Sequence, residues 1–128
     1  MLKIWGRANS NNVKKVLWCA EEAGVAYVRE DVGGAFGQLD TPEFAALNPN
    51  QRIPVLEDGD LVLWESNVIV RYLAARYAPE TLYAADPAER ALADRWMDWS
   101  SLNFAPPFGT LFWGLVRTPE AERNMAAI

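Results

Sequence analysis

The sequence predicts an α/β fold, a β-α-β-α-β-β-α unit with a mixed sheet, followed by the first part of an all-α domain. Three observations carry this reading. Short apolar runs alternate with stretches of helical periodicity in the N-terminal part. Asp58-Gly59 separates two such runs and is a strong hairpin signal. Asp86-Pro87-Ala88-Glu89 then opens a long helical pattern that no strand pattern follows.

Taken in order, 2–5 reads as a short buried strand ended by Gly6. Asn9, Ser10, Asn11 and Asn12 are residues that cap helices. Val13, Val16, Leu17 and Ala20 recur at helical spacing until Gly24 supplies a stop. A second strand is expected over 27–32, a glycine-rich loop over 33–37, and a short helix from Thr41-Pro42 to Asn48-Pro49. The third strand is expected over 54–57 and its hairpin return over 61–64. Val68, Ile69, Tyr72 and Leu73 mark the next helix, fading before Pro79. A strand-helix-strand unit implies a parallel pair, and the hairpin adds an antiparallel one. That order, with a proline opening the third strand, is the thioredoxin-like arrangement. Beyond it, Pro106-Pro107 is expected to kink or break the helix through Trp96 and Trp99, and Thr118-Pro119-Glu120 to start another. A helix begun so near Ile128 leads to the expectation of an incomplete helical domain.

Composition narrows the chemistry. At 51% apolar and 23% charged over 128 residues, the chain is that of a soluble globular protein. Its net charge of -5 argues against nucleic acid or an anionic membrane as partner. The N-terminus reads as a strand, not a signal peptide, and no run of eighteen apolar residues is present. A single cysteine, Cys19, excludes an internal disulfide and a C-x-x-C pair; inside the first helix it is expected to act as a small hydrophobe. With no histidine, neither a Ser-His-Asp triad nor a histidine-ligated metal site can form, and no metal is expected.

The residues that point to a site are Gln51-Arg52-Ile53-Pro54-Val55-Leu56 and, one hairpin later, Glu65-Ser66. Proline in a sheet is confined to strand starts, edges and bulges, and X-Pro is the one bond that turns cis at low cost. A bend there leaves the backbone N–H and C=O of Ile53 free to pair with an extended peptide. Glu65-Ser66 closes a strand and opens a helix, placing a carboxylate and helix-terminal donors beside the opening; Ser66 is also expected to serve as an N-cap. The combination implies a small peptide-binding site.

The segment from Asn48-Pro49-Asn50 through Leu56, with Leu63-Trp64-Glu65-Ser66-Asn67 and the helix from Val68 leading to Tyr77, resembles the N-terminal domain of soluble glutathione S-transferases, in particular the bacterial theta-like and nu-like members. The resemblance extends over the whole chain. It implies a thioredoxin-like glutathione-binding domain over 1–78, a linker over 79–86 and the start of a helical domain over 87–128. It also implies a cytoplasmic homodimer, with glutathione as co-substrate and no tightly bound cofactor. Ile53 and Pro54 would hold the cysteinyl backbone, Ser66 the γ-glutamyl carboxylate and Glu65 its ammonium. Gln51 and Arg52 lie where members direct polar or basic groups to the glycyl end.

Ser10 falls where serine-type members hold the residue that hydrogen-bonds the sulfur, and Asn12 where disulfide-reducing relatives hold an asparagine. A free thiol has a pKa near 8.5, so a hydroxyl donor at a positive helix end would favour the thiolate. Cys19 misses the start-of-helix position that cysteine-type members use. Arg7 is expected to be a solvated arginine. Trp96, Trp99, Phe104, Phe108, Phe112 and Trp113 are expected to form helical-domain core and subunit interface, with a share in the wall for an apolar electrophile. Three functions stand open at this point: conjugation of glutathione to a small apolar electrophile, glutathione-dependent thiol–disulfide exchange, and a non-catalytic binding module. For the transferase reading, the chain is expected to bind glutathione yet conjugate poorly.

Overall fold

The structure is a computed structural model and describes residues 1–128. It divides into two compact units, Met1–Ala85 and Asp86–Ile128. The first is built on a four-stranded sheet in the order β2-β1-β3-β4. Its strands are β1 (Leu2–Trp5), β2 (Tyr27–Glu30), β3 (Val55–Asp58) and β4 (Leu61–Trp64). β1 runs parallel to β2, with Ile4 opposite Arg29, and antiparallel to β3, with Ile4 opposite Leu56. The Asp58-Gly59 hairpin returns β4 along β3, with Leu56 opposite Leu63.

Alternation along the strands divides the apolar side chains between two faces. Leu2, Ile4 and Leu56 pack against Val16 and Ala20 of α1 (Asn11–Glu22) and Ile69 and Leu73 of α3 (Ser66–Tyr77), all essentially inaccessible to solvent. Val32, Val55 and Phe44 of α2 (Pro42–Leu47) form a second cluster with Trp5, Leu39, Leu47 and Ile53 around it. Trp5 and Phe44 meet edge to face with centroids 6.4 Å apart. Each fully buried Leu or Ile contributes about 1.5–3 kcal/mol of transfer free energy.

Local chemistry sets the element ends. Ser10 caps α1, and the helix stops in a Schellman arrangement: Gly24 at φ 67, with Val25 N–H donating to the Ala20 carbonyl at 3.1 Å. Thr41 caps α2, its hydroxyl accepting from the Phe44 N–H at 3.2 Å with Pro42 in the first turn. β2 ends at Glu30, short of the expected 32, because β1 ends at Trp5 and Gly6 turns away at φ 150. The Val32 carbonyl instead accepts from Arg7 N–H at 2.9 Å. β3 begins at Val55, not Pro54, since proline brings no donor to the ladder.

In the second unit, α4 (Pro87–Trp99) starts on an Asp86 cap, the carboxylate accepting from Glu89 N–H at 3.0 Å. Pro106-Pro107 does not break the chain's helical course. A π-helical turn at Ser100–Phe104 precedes α5 (Ala105–Phe112), and both prolines fall in the first turn of α5, where a missing N–H is tolerated. A second π turn follows at Trp113–Arg117. The helix expected from 118 is only a 3-10 turn at Glu120–Glu122. Trp96, Trp99, Phe104, Phe108 and Phe112 form a run of neighbouring rings with centroid spacings of 6.0, 6.2, 5.5 and 5.8 Å. Neither α4 nor α5 has a buried residue, so these aromatics are not a closed core in this chain. No helix is long and apolar enough to cross a membrane.

Candidate functional site

Three elements of the first unit converge on one polar cleft lined by Asn12, Asn48, Asn50, Arg52, Ile53, Pro54, Glu65 and Ser66. The turn entering β3 is organised by Asn48, which is 2% exposed. Its amide nitrogen donates to the Arg52 carbonyl at 2.8 Å, and its oxygen accepts from the Asn50 N–H at 2.9 Å and the Asn50 side chain at 3.0 Å. This folds 48–52 around one side chain. The Ile53-Pro54 peptide that follows is cis. Ile53 seats against two glycines: a Cβ at Gly33 would lie 2.9 Å from its Cδ1, and one at Gly6 3.3 Å from its Cβ. No hydrogen bond within the chain uses the Ile53 backbone, whereas ladder pairing begins at Val55.

Opposite this turn lies the N-terminus of α3. Glu65, not Ser66, holds the N-cap position; it sits at φ 73, ψ 110 and its side chain forms no capping bond. This corrects the expectation that Ser66 caps. Ser66 is the first helical residue, 8% exposed, and its hydroxyl donates across to Asn12 Oδ1 at 3.4 Å. No acidic residue stands in the first turn of α1, so its positive end is not offset there, whereas α3 carries Glu65 at its cap.

Ser10 and Asn12 occupy different places. Ser10 is 9% exposed and its Oγ accepts from Val13 N–H at a long 3.5 Å, so among the candidate capping residues it is the one that caps α1, but it does not line the cleft. Asn12 does line it. Gln51, at φ 54, is exposed and off the lining, whereas Arg52 is on it. Arg7 is not simply solvated: its Nε is buried without a partner, Nη1 donates to Asn9 at 2.9 Å, and the side chain packs over Gly34. Cys19 is half-buried with its sulfur 3.6 Å from the Val70 carbonyl, and burial pushes its thiol pKa up, away from the thiolate. Asn48 and Asn50 were missed as lining residues; the Asn-Pro-Asn run was the available signal. Lys15, which donates to Asn67 Oδ1 at 2.7 Å, gave none, because its partner is 52 residues away.

A larger concavity of about 440 Å³ lies among Arg95, Trp96 and Trp99. Side chains of a single helix bound it, so it is a surface groove without the convergent polar groups of the cleft.

Residues 1–75 match the family model described as Glutathione S-transferase, N-terminal domain. The chain belongs to the glutathione S-transferase family. Glutathione S-transferase GstB of Escherichia coli K12 is 48% identical over 130 residues, covering all of this chain and 62% of the relative. A crystal structure of the theta class glutathione S-transferase from Xanthomonas axonopodis pv. citri, with glutathione bound, superposes with a TM-score of 0.94 at 67% identity, covering 99% of this chain and 61% of that one. Glutathione transferase F2 of Populus trichocarpa gives 0.90 at 28% identity, covering 100% and 62%. The chain thus spans about three fifths of the length of these glutathione S-transferases. Its first unit has the family's thioredoxin-like arrangement, with a helical region following.

Proposed function

We propose that the first unit binds glutathione and that the protein transfers its thiolate to an electrophilic small molecule. The observation that carries this is the unpaired Ile53 backbone at the cis-proline turn, facing the same cleft as Glu65 and Ser66. A cysteinyl backbone would add to Ile53 as a short strand. The γ-glutamyl carboxylate would take the Ser66 end of α3, its ammonium would take Glu65, and Arg52 would face the glycyl carboxylate, with Gln51 beside it. The glutathione held by the Xanthomonas enzyme supports the assignment. Ser10, at the positive end of α1, would donate to the sulfur and favour its ionised form. The thiolate then attacks an electrophilic carbon; with an aryl halide a C–S bond forms and halide leaves. The same reading carries a cytoplasmic homodimer, with glutathione as co-substrate and no metal.

A second reading, glutathione-dependent disulfide reduction, is favoured by one observation: Asn12 lines the cleft and Ser10 does not. With its Oδ1 engaged by Ser66, the Asn12 amide nitrogen serves as donor.

Calorimetric titration with glutathione tests binding; an absence of heat in the folded chain would leave only a non-catalytic module. Conjugation of an aryl halide and reduction of a model disulfide, measured in wild type, Ser10→Ala and Asn12→Ala, separate the two reactions. Ser10→Ala is expected to lower conjugation roughly 10- to 100-fold, the equivalent of one hydrogen bond to a charged group. Unchanged rates in both variants would remove the sulfur assignment.

A further inference from the structure

Two of the three elements that line the cleft, α1 and α3, are tied together near their N-termini outside the core. α1 and α3 already pack through Val16, Ala20, Ile69 and Leu73. At their open ends two further bonds join them, Asn12 to Ser66 at 3.4 Å and Lys15 to Asn67 at 2.7 Å. The first is long and weak, so the second sets the spacing. Holding a lysine in one geometry forfeits much of its rotamer entropy. A half-buried lysine fixed on a neutral amide is therefore an expensive way to join helices that are already packed.

What the bond does locally is hold the first turn of α3. Immediately before that turn stands Glu65, a non-glycine residue at φ 73 that its surroundings must keep in place. Its carbonyl accepts from Ile69 N–H at 3.0 Å, but its side chain has no capping bond to fix it. Burial lowers the Lys15 pKa, and the Glu65 charge acts in the opposite direction, so the ammonium and carboxylate sense one another. The ammonium itself is bonded to Asn67, which leaves the Glu65 carboxylate for a ligand cation.

We propose that Lys15 is a positioning residue: through Asn67 it fixes Glu65 relative to α1, so that the site reads the ammonium of a γ-glutamyl group. This rests on the glutathione reading above.

The test compares binding of glutathione with that of its deaminated analogue, in which hydrogen replaces the γ-glutamyl ammonium. Calorimetry is run on the 128-residue chain, with thermal unfolding as a check on folding. In wild type the analogue leaves a carboxylate unpaired and should bind about 10-fold or more weaker. Lys15→Met is expected to reduce that preference to about 2-fold, Asn67→Leu to do the same, and Lys15→Arg to restore most of it. A merely structural role would weaken both ligands equally, and that result overturns the proposal. So does an unchanged preference in Lys15→Met. Equal binding of both ligands by wild type overturns it as well while leaving the glutathione reading standing. Failure of wild type to bind either removes both.

Discussion

Asp58, at the end of β3, accepts hydrogen bonds at one oxygen from Tyr72 at 2.5 Å and Tyr77 at 2.7 Å, both on α3. These phenols hold the Asp58 carboxyl below the usual range, and Asp58 in turn pushes Tyr72 up to about 12 and Tyr77 up as well. The signs give opposite windows. A depressed folded-state carboxyl contributes stability above its unfolded pKa of about 3.9, and that contribution fades as pH falls through the lower folded value. A raised phenol contributes fully below about 10, and its share fades as pH rises through about 12. The cluster is partly exposed, so Asp58→Ala is expected to cost only about 1 kcal/mol at neutral pH. Thermal unfolding of wild type and variant should show that gap shrinking as pH falls below about 3.9 and again as pH rises from about 10 through about 12. An equal gap at every pH would show that charge plays no part. The sequence did not disclose this cluster: the residues are 14 and 19 apart, and only the hairpin's return beside α3 joins them.

At the scale of elements, two glycines with positive φ separate turn chemistry from packing. Gly59, in the hairpin at φ 59, has nothing within 4 Å of where a Cβ would stand. Gly59→Ala should therefore cost only the left-handed backbone penalty, about 1 kcal/mol. At Gly6, φ 150, a Cβ would lie 2.4 Å from Val13 Cγ2 and 3.3 Å from the Ile53 Cβ. Gly6→Ala should cost about 3 kcal/mol or more in chemical denaturation and displace Ile53, weakening glutathione binding with it. Comparable losses at both positions would mean that the close approach at Gly6 is relieved cheaply. Asp58-Gly59 was legible because its turn chemistry is local. The role of Gly6 beside Ile53 was not, since a glycine reads only as a stop until its neighbour across space is known.

At the scale of the whole molecule, the first unit closes two apolar clusters on the two faces of its sheet, whereas the second presents its apolar side chains to solvent. Leu102 is 74% exposed, Trp113 65% and Trp96 62%. Contiguous apolar surface of this kind drives association. Sedimentation of this chain should be concentration-dependent, and the triple change Trp96→Gln, Leu102→Gln, Trp113→Gln should reduce that dependence without altering glutathione affinity. A concentration-independent monomer in wild type would contradict it. Within the first unit, Leu56→Ala removes a fully buried side chain between α1 and α3 and should cost about 2–5 kcal/mol by urea denaturation.

The sequence by itself determined the order of elements, the hairpin, a cap for α1 among 9–12, the caps at Thr41 and Asp86, and the segments that would form the cleft. Each rests on short-range rules: a turn dipeptide, a capping residue, a proline that brings no donor. It also placed Ile53-Pro54 and Glu65-Ser66 together, through a resemblance carried by their motifs. Only the tertiary structure decided that Glu65 rather than Ser66 takes the cap position, that Asn12 lines the cleft while Ser10 does not, and that Pro106-Pro107 falls in the first turn of α5 after a π turn. The Asn48 hub and the Lys15–Asn67 tie belong with these. The physical reason is common to most of them: which side chain faces the cleft depends on how α1, α3 and the turn before β3 pack against one another. Those contacts join residues up to 54 positions apart, beyond the reach of any local pattern.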